Sequence, residues 1–392
     1  MSDTENDIFL DDNIKVEPKL QKRIAALDVS RGVAMIFIIA LHFGLTWLDE
    51  GSICVAAATQ ILLEFMGPSM FIILSSISVV FTVRRKQETS SERAIRMSIF
   101  MRGVTLIALG VVMNLTTLNV WGWSILMFIG FGQIITYYAQ KIEAKLRIAI
   151  GIGILVISEP VREFIWLNSA AHPFWFVLNF IISSPVAQYT LLPWISICFL
   201  APIIGEQFYK VLVERTEEAY RKLFKNLMIF GVICIVVGVV VGLELKSDTT
   251  GIYYQMYEYL ELLKIWNHQD IAQVPGLQKF FINGTSSSIL FHMGCDILLI
   301  GGIFYALDIK NYDNVFVDML KYYGKASLNL FLIEYAFISL YSNSLTLFYW
   351  VFITINFIGF LAFLLYLWEK YANSVGTPEW LLGLALGGGK KK

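Results

Sequence analysis

The sequence predicts an all-α fold, a polytopic integral membrane protein of about ten transmembrane helices with both termini in the cytoplasm. Three observations carry that reading. Of 392 residues, 57% are hydrophobic and only 16% charged, where a soluble domain carries about a quarter. Apolar runs of about 20 residues, enough to cross roughly 30 Å of hydrocarbon, recur along the chain. With the N-terminus placed in the cytoplasm, all but four of the 30 Lys and Arg fall on the cytoplasmic side, the exceptions being Arg162, Lys246, Lys264 and Lys279. That asymmetry is the orientation signal of membrane proteins, and it favours an even number of spans.

In chain order, residues 1–22 are polar and acidic without an apolar run, and read as a disordered cytoplasmic tail. The predicted spans are 26–47, 62–83, 98–118, 123–140, 148–167, 189–209, 226–245, 287–307, 320–341 and 346–369. The fifth contains Glu159-Pro160, which predicts a kink or an early end. Residues 172–184 are apolar but short; if they cross, the count becomes eleven. The external loops 172–188 and 246–286 are rich in aromatic residues, and Asn283-Gly-Thr285 matches a glycosylation acceptor. The membrane domain thus runs over 23–371, and 372–392 form a second cytoplasmic tail, ending GGGKKK. Four cysteines (Cys54, Cys198, Cys234, Cys295) show no CxxC or metal-ligand spacing, so neither a disulfide framework nor a metal site is expected. Gly-rich phosphate loops and βαβ patterns are missing from the sequence, which argues against a nucleotide-binding domain and a nucleic-acid partner.

The chemistry concentrates in the first span, RIAALDVSRGVAMIFIIALHFG, from Arg23 to Gly44. On a helix, Arg31, Met35, Ile38 and His42 share one face. Arg31 then lies at the cytoplasmic mouth, with Asp28 three residues earlier placed to pair with it, and His42 lies about 16 Å deeper, near mid-membrane. A polar side chain at that depth is costly, turns inward and marks a substrate path, or else bonds a neighbouring helix. Further candidates for the same pore are Asn114, Gln133, and the i,i+4 pair His292 and Asp296; the last two also fit an interhelical clamp. Glu334 is an isolated carboxylate at a similar depth.

Arg23, Leu27, Asp28, Arg31, Gly32 and Ala34, followed by His42, form a pattern that resembles the first helix of the multispanning membrane acyltransferase superfamily, and in particular the heparan-α-glucosaminide N-acetyltransferase family with its prokaryotic relatives. Four later stretches are similar to the same family: EFMGPSMFIILSSIS from Glu64, RGVTLIALG from Arg102, LLPWISICFLAPIIG from Leu191 and GKASLNLFLIEYAF from Gly324. This chain departs from the pattern in having Glu64 for an aspartate, Ser75 for a glycine and Glu334 for a histidine.

The resemblance implies a membrane-bound transferase that moves an acyl group, acetyl by analogy, from cytoplasmic acyl-CoA (acetyl-CoA) to an amine or hydroxyl of a sugar or glycan reached from outside. The donor is then a co-substrate and no cofactor is permanently bound. Arg23, Arg31 and Arg102 would hold the donor's phosphates, with Asp28 in the same donor-binding group as the partner of Arg31; the pantetheine arm would carry the thioester inward, and His42 with Glu334 would be catalytic. His42 would act as general base or carry a transient acyl group. The cell membrane is the expected location and a homodimer is compatible. From residue chemistry alone, a proton-coupled transporter is the alternative, although paired broken helices in two related halves, the usual transporter mark, are not evident.

Overall fold

The computed structural model describes residues 24–52, 55, 58–59, 63, 66–116, 123–169, 171–183, 190–243, 278–281, 283–372 and 375. Arg23, Glu64, the N-terminal tail, most of the C-terminal tail and most of the 246–286 loop lie outside the described residues. The named elements over these residues are all helical, and an isolated bridge pairs Leu48 with Leu345.

The helices are α1 (Ala25–Trp47), α2 (Pro68–Lys86), α3 (Glu92–Thr116), α4 (Ile125–Ala139), α5 (Ala144–Ser169), α6 (Pro173–Ser183), α7 (Ser196–Glu214, led by the turn Leu191–Trp194), α8 (Glu217–Val241), α9 (Ser286–Phe304), α10 (Val315–Lys325), α11 (Ser327–Phe337) and α12 (Leu347–Ala372). Among the described residues, seven segments are long and apolar enough to cross a membrane: Ala25–Trp47, Pro68–Lys86, Glu92–Asn114, Leu191–Glu214, Glu217–Val241, Ser286–Ile309 and Leu347–Tyr371. The other three predicted spans fall short for separate reasons. At 123–140, α4 has only 15 helical residues. At 148–167, α5 carries Glu159, Arg162 and Glu163 in its second half, and it runs on through Pro160 without ending there. The stretch 320–341 is broken at Ala326 (φ −106°, ψ 23°), which separates the amphipathic α10 from the apolar α11. The short apolar stretch at 172–184 is α6, an 11-residue helix packed on α5 through Phe164 and Trp175.

The first helix is the centre of the bundle. It packs against α2, α9, α10, α11 and α12, whereas α8 and α12 bury only 22% of their apolar windows and face outward. Met35, Ile39, Phe43 and Trp47 repeat at four-residue steps and are at most 1% exposed. Ile24 supplies no capping side chain. The Asp308 carboxylate does so from the far end of α9, accepting from the Ala25 and Ala26 N–H groups at 2.9 Å each. This satisfies two orphan donors of the helix N-terminus and favours the dipole there. At the opposite end, the Trp47 indole N–H donates to the Ile338 carbonyl at 2.8 Å, and Asn343 and Leu345 N–H groups reach the Thr46 and Trp47 carbonyls at 2.8 Å.

Where α1 crosses α10, glycine is required. A Cβ on Gly32 would sit 2.1 Å from the Leu320 carbonyl oxygen, and one on Gly324 would sit 1.9 Å from that of Asp28. The two backbones therefore touch, as small residues allow at helix contacts in membranes. At the basic end, the Arg147 guanidinium is buried and grips Glu206 with two bonds of 3.0 and 2.8 Å, fastening α5 to α7. At the other end, Glu159 accepts from the Ser286 N–H at 3.3 Å, and Arg162 donates to the Gly284 carbonyl. Thr285, the last residue of the glycosylation-like triplet, is the N-cap of α9, its hydroxyl accepting from the Ser288 N–H at 3.0 Å.

Replacing Gly32 or Gly324 by alanine forces apart a backbone-to-backbone contact, so each is expected to lower stability by about 1–3 kcal/mol, seen as a fall of several degrees in thermal unfolding in detergent. Gly302→Ala, where a Cβ meets nothing within 4 Å, serves as the control and should unfold near wild type.

Candidate functional site

A cavity of about 660 Å³ opens at the basic end of the bundle, between α1, α2, α3, α4 and the α10–α11 junction. Its wall on α2 is a helical stripe, Phe71, Ser75, Ser78, Thr82 and Arg85, stepping by four and three residues, with Phe81 beside it. From α1 come Ile24, Leu27, Asp28, Arg31 and Ile38; from α3, Arg102 and Leu106. Helix α4 adds Gln133 and, deeper, Ile129, Leu126 and Ile125. Gly324, Lys325, Leu328 and Phe331 complete the enclosure.

Four cations, Arg31, Arg85, Arg102 and Lys325, stand on this wall. The Arg31 guanidinium donates to Asp28 at 3.1 Å and, through its other terminal nitrogen, to the Ser78 hydroxyl. Asp28 thus orients the arginine. Lys325 reaches Glu369 at 3.4 Å, and the Arg85 guanidinium lies over the Phe81 ring at 5.6 Å. Below the cations the Gln133 amide donates to the Ser75 hydroxyl at 3.0 Å. Deeper still the wall is apolar: Phe71, Ile38, Leu106, Ile129 and Phe331. The cavity therefore runs from a cationic mouth through a hydroxyl-bearing waist to a greasy end.

His42 stands one turn beyond Ile38 on α1. Its Nδ1 is 2.9 Å from Glu334 Oε1, a contact between residues 292 positions apart. The imidazole side chain is 24% exposed and the Glu334 side chain fully buried. On α11, Phe331, Glu334 and Tyr335 are neighbours on one face, and both aromatic rings meet the imidazole edge-on, at 6.4 and 5.7 Å between centroids. Phe331 belongs both to the cavity wall and to the imidazole's surroundings, so the apolar end of the cavity abuts the His42–Glu334 pair across this ring. A carboxylate on Nδ1 holds one imidazole tautomer and leaves Nε2 as the basic nitrogen.

Of the residues singled out in the sequence, Asp28, Arg31, Arg102 and Gln133 meet on the cavity wall, and His42 meets Glu334 beside it. The cavity wall does not include Asn114, His292 or Asp296. Asn114 is buried, its amide facing the Met127 sulfur at 3.5 Å. His292 and Asp296 are buried on α9, with Ser69 at the start of α2 as the polar neighbour of the Asp296 carboxyl. Their place is the contact of α9 with α2. Arg85, Lys325 and Ser78 were not foreseen. The α2 stripe carries the signal that would have found two of them, because Ser78, Thr82 and Arg85 sit in helical register with Ser75.

An all-helical membrane bundle with a cation-mouthed cavity and a buried imidazole–carboxylate pair beyond it is the class that fold and site define. The family model described as heparan-alpha-glucosaminide N-acetyltransferase, catalytic, matches residues 23–237, more than half of the chain, and the chain belongs to that family. The matched segment carries His42, Arg31, Arg85, Arg102 and Gln133; Lys325 and Glu334 lie beyond it. No curated protein matches the chain.

If the α2 stripe faces an aqueous cavity, a cysteine at Thr82 should be alkylated quickly by a polar maleimide. Val83→Cys, one residue on but at a buried position, should react far more slowly. The comparison is made by gel shift in a background lacking Cys54 and Cys295; equal rates at the two positions would refute the assignment.

Proposed function

We propose that this protein is a membrane acyltransferase that takes an acyl group, acetyl in the first instance, from acyl-CoA entering at the cationic mouth and passes it to an amine or hydroxyl of a sugar or glycan arriving from the opposite side. The single observation that carries the reading is the His42–Glu334 pair placed against the apolar end of the cation-mouthed cavity. The basic end then faces the cytoplasm, in keeping with the distribution of Lys and Arg, and the cell membrane is the natural site.

The division of labour follows from residue chemistry. Arg31, Arg85, Arg102 and Lys325 hold the donor's phosphates, arginine in bidentate fashion and lysine as a point charge. Arg23, next to the described start of α1, belongs with them. The pantetheine arm fills the waist, and the thioester lies at the apolar end near Phe331. His42 Nε2 takes the proton of the acceptor as its nitrogen or oxygen attacks the thioester carbonyl carbon. The new C–N or C–O bond forms, the C–S bond breaks, and the imidazolium returns the proton to the departing thiolate. The net result is an acylated acceptor and free CoA thiol. Glu334 orients the ring and stabilises the imidazolium.

His42→Ala should lower acetyl transfer by about 10²–10⁴-fold, and Glu334→Gln by about 10–100-fold, while both variants still bind CoA. The assay is transfer from labelled acetyl-CoA to a panel of amino sugars and polysaccharides. Wild-type rates in His42→Ala would overturn the reading.

A further inference from the structure

Two hydroxyls on the cavity wall are engaged only as acceptors. Gln133, 3% exposed, donates its amide N–H to Ser75 Oγ, and Arg31, which has no lone pair to offer, donates to Ser78 Oγ. Each serine therefore has its own O–H to place elsewhere. Helical hydroxyls usually return it to the carbonyl four residues back, as Thr46, Thr82 and Thr105 do here at 2.6, 2.8 and 2.9 Å. Ser75 and Ser78 make no such bond among the described residues, and both face the cavity. They sit three residues apart, so about 4.5 Å separates them along the axis.

Taking the cavity as the acyl-CoA site of the preceding section, we propose that Ser75 and Ser78 recognise the pantetheine arm of the donor, each donating its O–H to one of the arm's two amide carbonyl oxygens. Gln133 and Arg31 are positioning residues for them. The two carbonyl carbons, separated by one amide nitrogen and two methylenes, are about 5 Å apart in an extended arm by standard bond lengths, which fits the serine spacing. The order of groups also fits. The stripe from Arg85 to Phe71 spans about 21 Å, and phosphates, amides and acyl thioester would meet in turn the cations, the hydroxyls and the apolar end before His42. Ser75, the deeper serine, takes the amide nearer the sulfur.

The experiment is a cycle on the purified full-length protein in detergent. One change is Ser75→Ala. The other is in the ligand: a CoA analogue whose sulfur-proximal amide CO–NH is replaced by CH₂–CH₂. Affinity is read by titration calorimetry with the unacylated thiols. Each single change should weaken binding by roughly tenfold, the scale of one neutral hydrogen bond in a partly desolvated site, and the analogue's penalty should vanish in Ser75→Ala. A merely structural serine would leave that penalty in place; so would an unaffected Ser75→Ala, and either result refutes the assignment while acyl-CoA binding stands. If wild type does not bind CoA at all, the acyl-CoA reading itself fails and takes the assignment with it. Should Ser75→Ala not fold, Ser75→Cys, similar in size but a weak donor, replaces it with the same expected outcomes.

Discussion

The contact of α1 with α10 sets the distance on which both the cavity and the buried pair depend. Gly32 lies against the Leu320 carbonyl and Gly324 against that of Asp28, so the helices meet without intervening side chains. That contact brings Lys325 and Phe331 to the same cavity as Asp28 and Arg31. Because α11 follows α10 after a single non-helical residue, Ala326, the direction of α11 is set there as well. Glu334 is then carried to the level of His42. A wider crossing would separate the imidazole from its carboxylate and open the cavity to packing by side chains.

Holding a carboxylate at full burial is expensive unless it is bonded. Glu334 has one strong contact, to His42 Nδ1, and its other oxygen has no hydrogen-bond partner among the described residues. Such an arrangement is a poor way to gain stability, since apolar residues of the same volume would serve as well. It persists because the surrounding structure over-determines it. Asp308 holds one end of α1 and the Trp47–Ile338 and Leu345–Trp47 bonds hold the other. A cost borne in the core and met by anchors at both ends of one helix fits the chemical role proposed for the pair.

The first span was legible because helical periodicity is strong there and its polar residues are few. Asp28, Arg31 and His42 could be ranked by depth from spacing alone. The Asp28–Arg31 bond followed from their separation of three residues, whereas the His42–Glu334 bond joins positions far apart and no local rule reaches it. What sequence left open has the same cause. His292 and Asp296 share a helical face as expected, and that face meets α2, as the interhelical-clamp alternative has it; only the arrangement of neighbouring helices decides which polar face sees a cavity. The 320–341 stretch read as one span because its hydropathy is continuous; the break at Ala326 is a backbone event with no proline to announce it. Arg85 lies among the basic residues that follow the second span, and only its register with Ser75 and Ser78 gives it an inward address.

Phe331 joins the two halves of the site. It closes the apolar end of the cavity and meets the imidazole edge-on. The lining of α1 stops at Ile38, about 6 Å of helix short of His42. On the proposed function, a reacting carbonyl would have to pass, or displace, one aromatic ring to come within bonding range of an acceptor activated by Nε2. A phenylalanine side chain turns about its χ1 and χ2 without moving the backbone, so the barrier between the halves is a rotamer and not a helix. Under the same proposal, such a partition would separate the basic nitrogen from solvent at the mouth, where water would be the competing nucleophile for a thioester. On the proposed function, the same ring that would delay the meeting of donor and base would also protect the acyl group until the acceptor is present.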